Sequence, residues 1–179
     1  MTLLLLGLML ATGPVAVAEP AAPASFEVPG GHLFAGIGAW GASSPHLRDS
    51  DPVGVGISLD ALFQTERLLL GLSAQQFSLG DNALLGAFAG ARVGAILTEG
   101  RDAPYIAAGF GYLAEGHITG YWAEGAAATA EAGILLFRDR RWGQMMAAVQ
   151  AHFPLFRVAE LPGSAAWRPQ FAAGLRFLL

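Results

Sequence analysis

The most constraining feature of this sequence is an alternation of apolar residues with small or polar ones, which recurs in short segments from Gly31 to Leu179. In the segment 53–63 every odd position is apolar, whereas the even positions carry glycine, serine, aspartate and leucine. A period of two is that of a β-strand, in which successive side chains point to opposite faces of the sheet. The segments 67–77, 85–97 and 168–179 divide in the same way. The pattern therefore predicts an all-β fold.

Eight such segments of about ten residues lie between turn signals, as is typical of the strands of a transmembrane β-barrel. Their predicted bounds are 32–41, 53–63, 67–77, 85–97, 105–114, 121–137, 142–156 and 168–179. The links that follow odd-numbered strands include the two longest, whereas links such as "QTER" and "RDRR" are tight. Outer-membrane barrels combine long outer loops with short periplasmic turns in this way, so both ends of the barrel are expected on the periplasmic side.

Two segments also permit a helical interpretation, which would change the strand count. "GAFAGARVG" spaces Gly86, Gly90 and Gly94 four apart, as in the close-packing face of a helix. This segment is too short to span a bilayer as a helix, and it contains Arg92. "AEGAAATAEAGILLF" is rich in strong helix formers. A helix in either segment is the alternative to a strand.

Composition indicates which way the apolar face points. Charged residues make up 13% of the chain, about half the ordinary share for a soluble domain, and hydrophobic residues make up 54%. Small and scattered polar side chains suit the crowded lumen of an eight-stranded barrel, whereas leucine, valine, isoleucine and phenylalanine suit hydrocarbon. We therefore predict an eight-stranded antiparallel up-and-down transmembrane β-barrel with its apolar face toward lipid. A soluble periplasmic lipid-binding barrel is an alternative, in which the apolar face would point inward.

Several classes of partner and cofactor are not expected. The formal net charge is -4, all ten basic residues are arginines and the chain has no lysine, so we expect no basic patch for nucleic acid. The chain has no cysteine, and no two of its four histidines have the spacing of metal ligands. The Gly-x-Gly matches lack the helix start that phosphate binding requires. We expect neither a metal nor another cofactor.

The first residues indicate export. An apolar stretch, a Gly13-Pro14 break and the small residues Ala16 and Ala18 are typical of a secretory signal peptide that is cleaved after Ala18. The predicted organisation is a signal peptide at 1–18, a short linker at 19–30 and the barrel at 31–179.

Four charged residues fall on the inner faces of the predicted strands. Asp60 and Arg176 flank the first strand from either side at a low position, and Arg92 and Glu131 flank the fifth strand near mid-height. An unpaired charge in a low-dielectric lumen costs several kcal/mol. We therefore predict two lumen ion pairs, Asp60 with Arg176 and Arg92 with Glu131.

With eight strands, a signal peptide and the terminal "FAAGLRFLL", the chain resembles the small outer-membrane β-barrel proteins of the OmpA- and OmpX-like group. The resemblance implies the outer membrane of a Gram-negative-type bacterium, outer-membrane lipid as surroundings, and a last strand that serves as the signal for the barrel-assembly machinery. Phe171, Leu175 and Phe177 match that signal, whereas Leu179 stands where the family prefers an aromatic residue. We expect a structural or interaction role, exerted through the extracellular loops. The loop sequences name no ligand.

An enzyme is a further alternative. Some eight-stranded outer-membrane barrels modify lipid A, and the deacylases among them use a His-x-Ser pair plus an acid. His117 and Thr119 lie two apart in "GHITGYWAEG", with Glu115 and Glu124 nearby, and a base beside a hydroxyl group is the minimum for nucleophilic catalysis. Threonine replaces the serine of that motif. His117, Thr119 and Glu124 are therefore candidate catalytic residues of a lipid A modifying enzyme.

Overall fold

The structure, a computed structural model, describes residues 30–43, 53–79, 84–117, 121–140, 142–155 and 169–179. Within these ranges the chain forms eight strands: β1 His32–Ser43, β2 Val53–Gln64, β3 Leu68–Leu79, β4 Leu84–Ile96, β5 Ala103–His117, β6 Tyr121–Leu136, β7 Gln144–Pro154 and β8 Gln170–Leu178. Each strand pairs antiparallel with the next, and β8 pairs with β1 to close a barrel. The predicted all-β, eight-stranded antiparallel barrel is confirmed. The predicted signal peptide at 1–18 and all but the last residue of the linker at 19–30 lie outside the described residues.

The two faces of each strand are those that the alternation predicts. On β2 the side chains of Val55, Ile57 and Leu59 are exposed on the outside, whereas those of Ser58 and Asp60 are buried in the lumen. The same division holds on β8, where Phe171, Leu175 and Phe177 are exposed and Arg176 is buried. The alternative in which the apolar face lines the lumen is wrong.

Both helical alternatives are also wrong. "GAFAGARVG" lies in β4 and is paired along its length with β3 and β5. "AEGAAATAEAGILL" lies in β6, where it pairs with β5 and, from Ala127 onward, also with β7. Pairing with two neighbours overrides the helix propensity of the alanine-rich segment, because propensity contributes only tenths of a kcal/mol per residue. Among the described residues, no helix is long and apolar enough to cross a membrane.

The strands are strongly staggered. Pairing followed around the barrel from His32 of β1 passes through Gln64, Leu69, Gly94, Ala107, Glu131, Gln150 and Ala172 and returns to β1 at Ala42. The return point lies ten residues beyond the start. Such a stagger tilts the strands by roughly 35–45° from the barrel axis and leaves a lumen that side chains can fill.

Inward-pointing side chains form layers along the lumen. We call the end with the β2–β3, β4–β5 and β6–β7 links the turn end, and the opposite end the loop end. Toward the turn end lies an apolar layer that includes Phe34, Leu62, Leu69, Ile96, Leu135, Met146 and Leu178. Toward the loop end lies a second apolar layer formed by Ala42, Phe77, Phe88, Leu113 and Ala127. Charged and polar side chains occupy the space between these layers.

Candidate functional site in the barrel lumen

Four charged side chains meet in the middle of the lumen. Arg92 Nη2 lies 2.8 Å from Asp60 Oδ1, and Arg92 Nη1 lies 2.9 Å from Glu131 Oε2. Arg176 Nη1 lies 2.7 Å from Glu131 Oε1, and Arg176 Nε lies 3.3 Å from Asp60 Oδ2. Each carboxylate thus contacts both guanidinium groups. We call these four residues, Asp60, Arg92, Glu131 and Arg176, the ionic ring.

The sequence predicts two separate pairs, and the structure brings the members of each pair together. It also places two contacts between the pairs, Arg92 with Asp60 and Arg176 with Glu131. The guanidinium of Arg176 donates two parallel hydrogen bonds to Glu131, at 2.7 and 2.9 Å, and these contacts are shorter than its contact with Asp60. Such a bidentate contact is the strong geometry for an arginine and a carboxylate.

Hydrogen-bond donors outside the ring complete the coordination of its carboxylates. The Tyr105 hydroxyl donates to Glu131 at 2.6 Å, and the Ser58 hydroxyl donates to Asp60 at 2.8 Å. Trp40 Nε1 donates to Ser58 at 3.0 Å, and the Arg176 guanidinium lies 4.3 Å from the Trp40 ring centroid. These three residues were not singled out from the sequence. Their positions in the strand alternation place them on inner faces, so the alternation could have identified them as lumen residues.

The electrostatics of the ring are balanced. Two positive and two negative side chains cancel, and the side chains of Asp60 and Arg176 are both 0% exposed. Burial of a charge is tolerated only when partners replace its water shell, and here each charge has two partners of opposite sign. The arrangement therefore fixes side chains across the lumen and leaves no net charge that would attract an ion.

Uncharged polar side chains lie between the ionic ring and the apolar layer at the loop end. Gln75 Nε2 donates to Gln150 at 2.9 Å and to Ser73 at 3.3 Å, which links β3 to β7 across the lumen. The His152 ring packs against Phe88, with 4.6 Å between centroids. These contacts place polar and aromatic side chains between the ionic ring and the loop end of the lumen.

A buried arginine closes the turn end. Arg138 donates to the backbone carbonyls of Thr65, Glu66, Thr98 and Gly100, which belong to two neighbouring links, at 3.1–3.5 Å. Gln144 in turn donates to the carbonyl of Arg138 at 3.3 Å. Burial lowers the pKa of Arg138 from its ordinary value, and nearby Glu66 opposes that change. An arginine nevertheless stays charged in proteins, and its guanidinium group has five N–H donors, so it can bind several carbonyls at once.

The candidate catalytic residues are not brought together in the part of the chain that the structure describes. His117 ends β5 and pairs with Tyr121, whereas Thr119 lies outside the described residues. Glu124 is exposed on the outer face of β6 and accepts a hydrogen bond from Tyr112. Glu115 instead accepts a hydrogen bond from Gln170 of β8. Within the described ranges, no three histidine, aspartate or glutamate residues are arranged to hold a metal ion.

The residues of the expected assembly signal lie along the outer face of β8. Phe171, Leu175 and Phe177 are each about half exposed. Leu179 follows the strand and continues the ladder, because its N–H donates to the Ala35 carbonyl at 2.8 Å and its carbonyl accepts from Ala35 at 3.1 Å. The part that these residues play in assembly stays a prediction.

The strand pairing and the outer surface define the class of fold: a closed antiparallel barrel of eight strands with large apolar side chains on its outside. The fold is that of small outer-membrane β-barrels. Neisserial surface protein A is similar with a TM-score of 0.60 and 12% sequence identity, over 83% of this chain and 99% of that one. The N-terminal β-barrel domain of Pseudomonas aeruginosa OprF is similar with a TM-score of 0.55 and 14% identity, over 83% of this chain and 99% of that one. No protein-family model matches the sequence, and no curated protein does.

Proposed function

We propose that the chain is a bacterial outer-membrane barrel that does not act as a general porin and that acts through its extracellular loops. The observation that carries this proposal is the ionic ring, which fills the middle of the lumen with paired charges. Apolar layers lie on both sides of the ring, and Arg138 caps the turn end. Side chains fill the lumen of small barrels in this way, whereas porins have many more strands and an aqueous channel.

The outer surface supports a membrane location. Large apolar side chains on all eight strands or their adjoining links are exposed, which is the arrangement of a barrel that faces lipid. In water such a surface would far exceed the apolar patches that soluble monomers tolerate. The likeness of the fold to outer-membrane barrels agrees with this location. Insertion by the barrel-assembly machinery through β8 is part of the same proposal.

Conductance tests whether the lumen is closed. The purified chain is reconstituted in a planar bilayer, and the current is recorded beside that of an open porin. We expect no stable channel in the wild-type protein. A steady, ion-conducting channel in most insertions would contradict the proposal that the lumen is filled.

The role of the loops is tested by shortening them. The segments 44–52 and 156–168 are replaced by short Gly-Ser links, separately and together, in a strain that lacks the native copy. If the loops carry the function, these variants form heat-modifiable barrels in the outer membrane but fail to restore the phenotype of the missing protein. Full restoration by the doubly shortened variant would contradict a loop-mediated role.

Mass spectrometry of lipid A tests the alternative of a lipid A modifying enzyme in the same strains. If the chain is such an enzyme, the lipid A spectrum differs between strains with and without the protein.

A further inference from the structure

A small cavity lies in the lumen between the ionic ring and the loop end. Its volume is about 10 Å³, and its polar lining includes Gln75, His152 and Gln170, with Trp40 and Phe77 in its apolar wall. A buried water needs a cavity of about 10–15 Å³ and two to four polar partners. The cavity therefore has the size of a single water molecule.

Two of the side chains that line the cavity carry polar atoms with no hydrogen-bond partner among the described residues. His152 is 1% exposed, and neither of its ring nitrogens has a hydrogen-bond partner among the described residues. Gln170 is 3% exposed, and its Oε1 is likewise unpartnered, although its Nε2 donates to Glu115. Buried polar atoms in folded proteins nearly always find a partner, either in the protein or in ordered water.

We propose that this cavity is a binding site for one ordered water molecule held by His152 and Gln170. A neutral imidazole offers one N–H donor and one acceptor nitrogen, and the amide oxygen of glutamine is an acceptor. A water that accepts from the imidazole N–H, or donates to its other nitrogen, still has a proton to donate to Gln170 Oε1. The Gln75 amide nitrogen already donates to Gln150 and Ser73, so it does not compete for this water.

The position of the site gives the water a structural role. His152 and Gln170 face each other as the last pair of the β7–β8 ladder at the loop end. A water between their side chains therefore joins the two strands where the longest outer link leaves the barrel. Through the Gln170–Glu115 hydrogen bond, the same water is connected to β5. This inference does not depend on the membrane location or on the role of the loops.

Water–protein NMR of the full chain in deuterated lipid nanodiscs tests the site. We expect cross-peaks at the water frequency from the carbon-bound ring protons of His152, with the sign of a long-lived bound molecule. We also expect the unprotonated ring nitrogen to resonate upfield of a nitrogen that accepts no hydrogen bond. Absence of both signals in the folded wild-type protein would show a dry cavity and overturn the proposal.

A pair of matched variants locates the water. Gln170→Leu removes one partner and is expected to abolish the His152 cross-peak. Gln64→Leu makes the same change in a buried glutamine of β2 at the turn end and is expected to leave the cross-peak unchanged. Retention of the full cross-peak in Gln170→Leu would contradict the assignment. The wild-type measurement decides the question if that variant does not fold.

Discussion

At the scale of single residues, we expect Arg176 to contribute most to the stability of the lumen. It contacts both carboxylates of the ionic ring and stacks on Trp40. We predict that Arg176→Met lowers the free energy of unfolding by about 3–5 kcal/mol, because Glu131 and Asp60 then share one positive partner in a buried site. Urea unfolding of the protein folded into lipid vesicles measures this change.

Arg67→Met is the matched control for that substitution. Arg67 also pairs with a carboxylate, that of Glu99, but the two side chains are 61% and 68% exposed. Exposed pairs contribute at most about 1 kcal/mol, because water screens them and ordering the side chains costs entropy. If Arg176→Met cost no more than Arg67→Met, the ionic ring would not be the main stabilising contact of the lumen.

Much of the ring could be predicted from residue positions alone. The period of two places Asp60, Arg92, Glu131 and Arg176 on inner faces, and pairing between nearby strands follows from the order of the strands. The contact of Arg176 with Glu131 could not be predicted in this way. This contact depends on the stagger of the strands, because the pairing places Glu131 level with Ala172 and not with Arg176. It also depends on the length of the arginine side chain, which spans that offset.

At the scale of elements, a glycine of β4 makes room for an aromatic ring of β3. A Cβ on Gly86 would overlap the ring of Phe77, which lies over this glycine from the neighbouring strand. We predict that Gly86→Ala costs about 1–3 kcal/mol, the range for overpacking a filled interior. The additional substitution Phe77→Leu should recover part of this loss, and urea unfolding of the single and double variants measures the coupling.

Gly41→Ala is the control on the outer face. The nearest atom to a Cβ at Gly41 is the Ala173 carbonyl oxygen at 3.9 Å, an ordinary contact. We expect a change within about 0.5 kcal/mol. Equal losses in Gly41→Ala and Gly86→Ala would mean that close packing against Phe77 is not the cause.

The closing pair of strands gives a second prediction at this scale. Ala39 of β1 lies opposite Leu175 of β8, and residues directly opposite in an antiparallel pair have Cα atoms about 4.5–5.5 Å apart. We predict that Ala39→Cys with Leu175→Cys forms a disulfide in the folded barrel, visible as a reductant-sensitive change in gel mobility after boiling. The natural chain has no cysteine, so the background is clean.

Ala39→Cys with Phe177→Cys is the register control. Phe177 lies opposite Ile37, two residues away along the ladder. A disulfide that forms in this diagonal pair but not in the direct pair would show that β8 is shifted relative to β1.

The extent of each element is less predictable than its existence. The sequence predicts β5 at 105–114, whereas the strand runs from Ala103 to His117. Its end continues because β6 pairs with it as far as Tyr121, so the partner strand extends β5 beyond the residues with clear alternation. Strand existence follows from periodicity within one segment, but strand ends depend on the neighbouring strand.

At the scale of the whole molecule, the side chains divide between two different surroundings. Large apolar side chains are exposed on the outside, whereas the four charged side chains of the ionic ring lie inside with their partners. Closure of β8 onto β1 leaves no unpaired edge, which hydrocarbon would not tolerate because it offers the backbone no hydrogen bonds. The sequence predicts this division because its composition lacks the charges that a water-facing barrel needs. The sequence identifies no ligand or partner.

Heat-modifiable gel mobility of the outer-membrane fraction tests the central claim most directly. A closed barrel in the membrane resists detergent at low temperature and migrates as a compact species, and boiling unfolds it to a slower or otherwise shifted band. We predict that the chain is recovered with the outer membrane and that its unboiled and boiled bands differ. Recovery in the periplasmic supernatant, or identical mobility before and after boiling, would contradict a closed barrel in the outer membrane.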